Sequence, residues 1–374
     1  MPQTVVIAPD SFKGSIPAAA AAAAIADGWR SADADIEPRV LPMADGGEGT
    51  LDAFAAAVPG AVRMPLTVTG PSGDPVEASW LLLPATPEAS RGTAVVELAS
   101  TSGIELLGTP PRLRPLDADT TGFGQTIAAA LAHGVSRLVL GIGSSASTDG
   151  GAGMLTALGA RLFDAAGAPV APGGRGIGDI ATADLAGLAA LPPAGVQVLS
   201  DVTNPLLGER GAAAVFGPQK GATRDDVRAL DESLRSYAAL LPADPSAPGA
   251  GAAGGTGFGL LAWGARLVPG STAVAELIGL RDAVAGAVLV VTGEGSYDGQ
   301  SAAGKVPAHV AALAAGADVP VALVAGRIAP DADISAFAAS VSLTELAGSP
   351  AEAMADPARW LREAGAALAR RTRR

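Results

Sequence analysis

Short β-branched apolar runs recur along the chain. Each leads into a loop rich in glycine and carboxylates, then into an alanine-rich stretch with helical spacing. Val5-Val6-Ile7 runs into Asp10-Ser11-Phe12-Lys13-Gly14-Ser15. Ser15 as N-cap, with Pro17 in the first turn, predicts a helix over residues 18–29. Residues 137–140 run into the glycine-rich segment 141–153 and a helix through residue 160. Val196-Gln197-Val198-Leu199 runs into Asp201-Val202-Thr203-Asn204-Pro205. Residues 288–291 run into Gly293-Glu294-Gly295, and residues 321–324 into Gly326-Arg327. Strands alternating with helices predict an α/β fold with largely parallel sheets. In such sheets ligands bind outside the carboxyl ends of the strands, and the candidate chemistry falls at those ends each time. The recurrence points to an enzyme without identifying the reaction.

Between residues 66 and 98 the pattern changes to runs such as Ala78-Ser79-Trp80-Leu81-Leu82-Leu83 and Thr93-Ala94-Val95-Val96-Glu97, divided by turn signals at 70–75. This reads as antiparallel β structure and the start of a second domain. Strand-loop signatures of one kind stand at both ends of the chain. They predict a discontinuous domain over 1–69 plus 285–374, with an inserted α/β domain over 70–284 that carries the 141–153 loop. Residues 244–257, rich in Pro, Gly and Ala, are expected to form a long surface loop or linker.

Hydrophobic residues make up 49% of the 374 and charged residues 17%, enough for large buried cores. With aromatics at 3%, those cores must be packed from Ala, Val, Leu and Ile. The absence of cysteine excludes disulfides and thiolate metal sites and suits a reducing, cytoplasmic setting. A net charge of −12 disfavours nucleic acid as a partner, since backbone phosphates call for a basic surface. The basic run at 370–374 reads as a solvated tail. No signal peptide is evident, and no apolar stretch reaches the ~18 residues that would suggest a membrane span.

Asp10, Ser11 and Lys13 put a carboxylate, a hydroxyl and an ammonium between a strand and a helix N-terminus, where an anion is favoured. Asp45-Gly46-Gly47-Glu48 follows a second strand. Its glycines let backbone approach a ligand closely, and its carboxylates can accept from hydroxyl groups. The most distinctive segment, 141–153, holds five glycines, four hydroxyls and one Asp. Gly143, Ser144, Ser145, Gly150 and Gly151 are candidates there for a nest of N–H donors around phosphate, with Asp149 beside them. It is not a dinucleotide fingerprint, because Ala146 stands where the third glycine of G-x-G-x-x-G belongs. Residues 299–306 nearly match a P-loop, but Val306 replaces the hydroxyl that would hold Mg²⁺. Lys305 is kept as a phosphate contact. Glu294 and Asp298, just before it, offer hard oxygen ligands for a metal. His133 and His309 sit in alanine-rich helical stretches without motif partners and read as helix-end or core residues. General-base work therefore falls to Asp or Glu.

Read in order, these loops resemble type I glycerate kinases over essentially the whole chain. The matching segments are 8–15, 43–50, 141–154, 201–208, 216–222 (Phe216-Gly217-Pro218-Gln219-Lys220-Gly221-Ala222), 264–270 and 293–307. The resemblance implies a Rossmann-like domain interrupted by a second α/β domain. It also implies ATP-dependent phosphorylation of D-glycerate with a divalent cation such as Mg²⁺, usually giving 2-phosphoglycerate. Small-molecule substrates are the expected partners, and a homo-oligomer is compatible with the resemblance. Ser144 and Ser147-Thr148 depart from it, standing where relatives more often show Gly and Thr-Asn.

Phosphoryl transfer needs alignment, charge neutralisation and a proton acceptor. Asp201, at a strand end and braced by Thr203-Asn204-Pro205, is assigned as the base. The 141–153 loop with Asp149 is expected to handle phosphate and metal, and Lys13 and Lys305 to neutralise charge. Asp45 and Glu48 are expected to hold the glycerate hydroxyls or a metal water. The rival readings are a kinase for another small hydroxy acid and a non-catalytic nucleotide or organic-acid binding protein. A dehydrogenase is weakened by the missing fingerprint.

Overall fold

The computed structural model describes residues 3–299 and 306–372. Its strands, in chain order, are β1 (Thr4–Ile7), β2 (Glu37–Val40), β3 (Val62–Thr69), β4 (Pro75–Leu83), β5 (Thr93–Glu97) and β6 (Arg137–Gly141). They continue with β7 (Arg161–Phe163), β8 (Thr182–Asp184), β9 (Val196–Leu199), β10 (Arg266–Val268), β11 (Leu289–Tyr297), β12 (Val321–Ile328) and β13 (Ala339–Ser342). The chain divides into two compact units. The first comprises Met1–Asp45, Asp52–Pro59 and Ser271–Arg374, and the second Gly46–Leu51 and Gly60–Gly270.

The first unit is built on an all-parallel sheet in the order β13-β12-β11-β1-β2. Its core is aliphatic and alanine-rich, with Trp29 and Phe12 as its buried aromatics. Two long helices, Ala18–Ala32 and Pro357–Thr372, pack backbone to backbone. A Cβ on Gly28 would lie 1.9 Å from the Arg362 carbonyl, and one on Gly365 would lie 2.1 Å from the Ile25 carbonyl. Small residues on both helices thus do the work that aromatics would do in a looser core. The helix begins one residue after Pro17, and Ser15 does not cap it. A tight Phe12–Ile16 turn takes Ser15 instead, its N–H donating to the Phe12 carbonyl at 2.9 Å.

The second unit holds a six-stranded mixed sheet, β10-β9-β6-β5-β4-β3, and a small antiparallel β7-β8 pair. Its β10, β9, β6 and β5 run parallel, while β3-β4-β5 is the antiparallel meander expected from the change of pattern near residue 66. The unit boundaries fall at 60 and 270, whereas the sequence suggested 70 and 284. Strand β3 pairs with β4 along its length, from Val62 opposite Leu82 to Thr69 opposite Pro75, and so belongs with the meander. Residues 244–257 are not a linker. Ala250, Gly251, Ala252, Gly254, Gly255 and Gly257 are buried within the unit, over the 141–153 loop. Among the described residues no helix is long and apolar enough to cross a membrane.

Candidate active site

In the first unit β1 lies between β11 and β2, so three parallel strands deliver their carboxyl ends side by side. Asp10 follows β1. Its N–H donates to the Gly293 carbonyl at 2.8 Å, and its Oδ1 accepts from the Ser11 N–H at 2.7 Å. Asp45 follows β2 and places Oδ2 3.8 Å from Lys13 Nζ. Glu294 is buried within β11, and Asp298 comes immediately after that strand. The glycines beside Glu294 are required by packing: a Cβ on Gly293 would lie 2.0 Å from the Val324 carbonyl. Asp10, Ser11, Lys13, Asp45 and Glu294 all belong to the first unit, and Asp201 to the second. Lys305 lies outside the described residues.

Asp10 is held well above the ordinary carboxylate range, at about 7. Burial is the first cause and the Asp45 charge the second, with Glu294 adding to them and the Ser11 N–H and Lys13 opposing. The Lys13–Asp45 pair is largely exposed and contributes little to stability. Among the described residues no group of three or more Asp, Glu or His side chains is disposed to hold a metal by itself. Mg²⁺ usually needs only one or two protein carboxylates, with phosphate and water completing its shell, and the carboxylates of this cluster fit that donor chemistry.

The raised Asp10 carboxyl predicts a pH-dependent stability. Between about 4 and 7 the folded chain keeps a proton that the unfolded chain has released, so Asp10 weakens the fold as pH rises through that window. Asp10→Asn removes the penalty. Its melting temperature should match wild type at pH 4 and exceed it by several degrees at pH 8, on the order of 2–4 kcal/mol before full allowance for solvent screening. A melting difference that stays constant across that range would contradict the assignment.

In the second unit the Gly46-Gly47 pair lies against the ends of β6 and β9. The Gly143 N–H donates to the Gly46 carbonyl at 2.9 Å. A Cβ on Gly46 would lie 2.5 Å from the Leu199 carbonyl, and one on Gly143 would lie 2.5 Å from Gly47 Cα. The backbone contact is possible only for glycine. Next to it, Leu51 N–H donates to the buried Glu97 carboxylate at 3.0 Å. Glu48 is exposed; partial burial and the nearby Glu105 carboxylate raise its carboxyl above the usual range.

The 141–153 loop is two-faced. Ser144 is exposed and Gly143 half-buried, but residues 145–152 are buried. Ser144 has φ 59°, a left-handed conformation that glycine adopts freely and serine adopts at a cost of about 1–2 kcal/mol. That accounts for glycine as the more usual residue of the resemblance. The Asp149 carboxylate is fully buried and accepts five hydrogen bonds: Thr120 N–H and Oγ1, Ser147 Oγ, and the N–H groups of Gly151 and Gly153, at 2.7–3.2 Å. The Gly150 N–H donates to the Gly254 carbonyl at 3.1 Å. The expectation of Gly150 and Gly151 as phosphate donors therefore does not fit their surroundings, because both N–H groups are bonded inside the protein.

Two residues that the sequence reading did not single out complete this interior. Asp119 is buried beside Asp149, and burial followed by the Asp149 charge raises its carboxyl. Lys220, at the end of the turn Pro218–Lys220, is buried and donates to the Ser147 carbonyl and, at 3.5 Å, to Ser145 Oγ. A lysine in a Gly-Pro-Gln-Lys-Gly turn reads as solvated, and nothing local signals its burial.

Asp201 stands exposed beyond β9. Its Oδ1 accepts from the Gly270 N–H at 2.9 Å. Asn204 braces the following turn, with Nδ2 donating to the Arg210 carbonyl at 2.8 Å and its own carbonyl accepting from Gly251 at 2.9 Å. His133 ends the helix Thr121–His133 and packs edge-on against Trp80, a structural place as expected.

Comparison with known proteins agrees over the whole chain. Residues 5–373 match the model of the glycerate kinase family. A glycerate kinase of Halalkalibacterium halodurans is 44% identical over 332 residues, covering 87% of this chain and 86% of its own. A glycerate 2-kinase of Escherichia coli is 42% identical over 337 residues, covering 88% and 87%. The crystal structure of a Salmonella typhimurium LT2 protein assigned as glycerate kinase 2 superposes with a TM-score of 0.84. It is 38% identical and covers 100% of this chain and 99% of its own. The chain belongs to the glycerate kinase family.

Proposed function

We propose that this protein transfers the γ-phosphoryl group of ATP to the 2-hydroxyl of D-glycerate, giving 2-phosphoglycerate and ADP. The supporting observation is the match to the glycerate kinase family over residues 5–373, together with a relative described as a glycerate 2-kinase at 42% identity.

Roles follow from the chemistry each group can do. Asp201, accessible and fixed on one side by the Gly270 N–H, accepts the proton of the attacking hydroxyl. Lys13 offsets charge on phosphate or on the glycerate carboxylate, as does Lys305. Asp45 and Glu48 accept hydrogen bonds from the glycerate hydroxyls. In the 141–153 loop the contact with phosphate falls to Gly143 and Ser144, the part that faces outward, while Asp149 holds the loop from within. Glu294 and Asp298 would hold Mg²⁺. Bound there, the ion supplies charge neutralisation on the phosphate oxygens.

A coupled ADP-release assay with ATP and Mg²⁺ tests the reading. D-Glycerate should turn over much faster than L-glycerate, glycerol or glycolate, and ³¹P NMR should place the new phosphate on the 2-hydroxyl. Equal rates with glycerol would show that the carboxylate is not recognised and would remove glycerate as the substrate. Faster turnover of a four-carbon hydroxy acid would move the assignment to that substrate.

A further inference from the structure

Within the second unit one ammonium group is enclosed in the protein interior beneath the glycine-rich loop. Lys220 retains 2% of its accessible surface, and its Nζ bonds the Ser147 carbonyl and Ser145 Oγ. The segment 253–255 seals this pocket. Ala253, Gly254 and Gly255 all have positive φ, at 53°, 68° and 89°. A Cβ on Gly254 would lie 2.0 Å from the Ser147 carbonyl and 2.9 Å from Lys220 Nζ, so glycine there leaves the space the ammonium occupies. Ser145 Oγ also lies 3.3 Å from the Ala253 carbonyl, which ties the seal to the loop. From Ser147 the network passes to the Asp149 carboxylate through the Ser147 Oγ–Asp149 Oδ1 bond of 3.1 Å, and from Asp149 to the Gly151 and Gly153 N–H groups.

We propose that Lys220 is a positioning residue whose ammonium acts as a built-in monovalent cation, holding the 145–149 turn so that the outward Gly143-Ser144 segment is fixed for phosphate. Its depth separates this role from direct contact, because a side chain so enclosed does not reach a ligand on the outer face of the loop. Burying an ammonium is unfavourable, and burial pushes the Lys220 group down to about 7 while Asp149 opposes the shift. A lysine serving only to fill space would be replaced favourably by an apolar side chain of similar volume. The donors it supplies are what an apolar chain lacks: a point charge aimed at a carbonyl and a hydroxyl of one loop. A small cation that entered the vacated space could supply the same contacts.

The kinetic test rests on the glycerate kinase reading, so it is paired with one that needs no substrate. Lys220→Ala should lower kcat by about 10²-fold with KM changed only a few-fold, as for a misplacement of roughly 1 Å at a phosphate contact. Added methylammonium should then restore at least about tenfold of the lost rate, saturably, while tetramethylammonium, which has no N–H to donate to the Ser147 carbonyl and Ser145 Oγ, should not. Lys220→Met, which keeps the volume, should fold with a melting temperature close to wild type yet lose kcat to a similar extent and show no rescue. In hydrogen exchange without substrate, the amides of 142–147 should exchange faster in Lys220→Ala and regain protection with methylammonium. Wild-type kcat in a folded Lys220→Met protein would overturn the proposal. So would exchange in Lys220→Ala unchanged from wild type, or activity lost in Lys220→Ala that no small amine restores. If the wild-type chain itself releases no ADP with glycerate, the function reading fails, and the exchange experiment still decides the role of Lys220.

Discussion

Asp201→Asn is expected to lose about 10²–10⁴ in kcat while glycerate and nucleotide Kd stay within a few-fold of wild type, the usual measure of a lost general base. Asn keeps the shape and its Oδ1 can still accept from Gly270, so the fold around it has no reason to change. What it loses is the ability to take a proton from a hydroxyl held within ~3 Å. The braced Thr203-Asn204-Pro205 turn limits how far the side chain can drift, since proline fixes its own φ and restricts Asn204. Steady-state kinetics with isothermal titration of both substrates checks the result. Near-normal kcat in the folded variant removes Asp201 from the base role, and recovery of the rate on raising Mg²⁺ or Mn²⁺ makes it a metal ligand instead. Asp149, also in a strand-end loop, could not take over that role, because it is fully buried. Asp10 would then be the carboxylate to test, since burial and the Asp45 charge raise its carboxyl to about 7, where a base is most effective at neutral pH.

Asp149→Ala is expected to act in the opposite way, through the fold. The substitution strips the acceptor from five donors at once: two on Thr120, the Ser147 hydroxyl, and the N–H groups of Gly151 and Gly153. It also leaves the buried Lys220 without its nearby anion. Breaking a buried, charge-assisted network typically costs about 3–5 kcal/mol, because the groups left behind stay desolvated and unpaired. For a unit of this size that is a fall in melting temperature on the order of 10 °C. Calorimetry on wild type, Asp149→Ala and Asp201→Asn separates the two carboxylates. Asp149→Ala should lower the melting temperature, and Asp201→Asn should leave it alone while lowering kcat by about 10²–10⁴. A melting temperature for Asp149→Ala within a degree or so of wild type would refute the interior role.

Much of this protein was determined by its sequence alone. The alternation of β-branched runs with alanine-rich stretches set the α/β class, and the change of pattern near residue 66 announced the antiparallel strands. Both depend on local periodicity, which the chain carries in its own order. The family was legible through the resemblance of its loops, several of which stand at strand ends: Asp10, Asp45 and Asp201 come after β1, β2 and β9. The tertiary structure alone decided which of these groups are interior. Asp149 and Asp201 are both carboxylates in strand-end loops, yet one is wholly enclosed and the other exposed. Residues 253–255, more than a hundred positions further along, enclose the first of these loops, and the turn at 218–220 sends Lys220 beneath it. Burial depends on which distant segments come to lie on a loop, and polar residues in glycine-rich turns give no periodic signal of that. The unit boundaries shifted for the same reason: β3 follows the first unit's segments in the chain, but its hydrogen bonds are satisfied by β4, and pairing overrides position in the sequence.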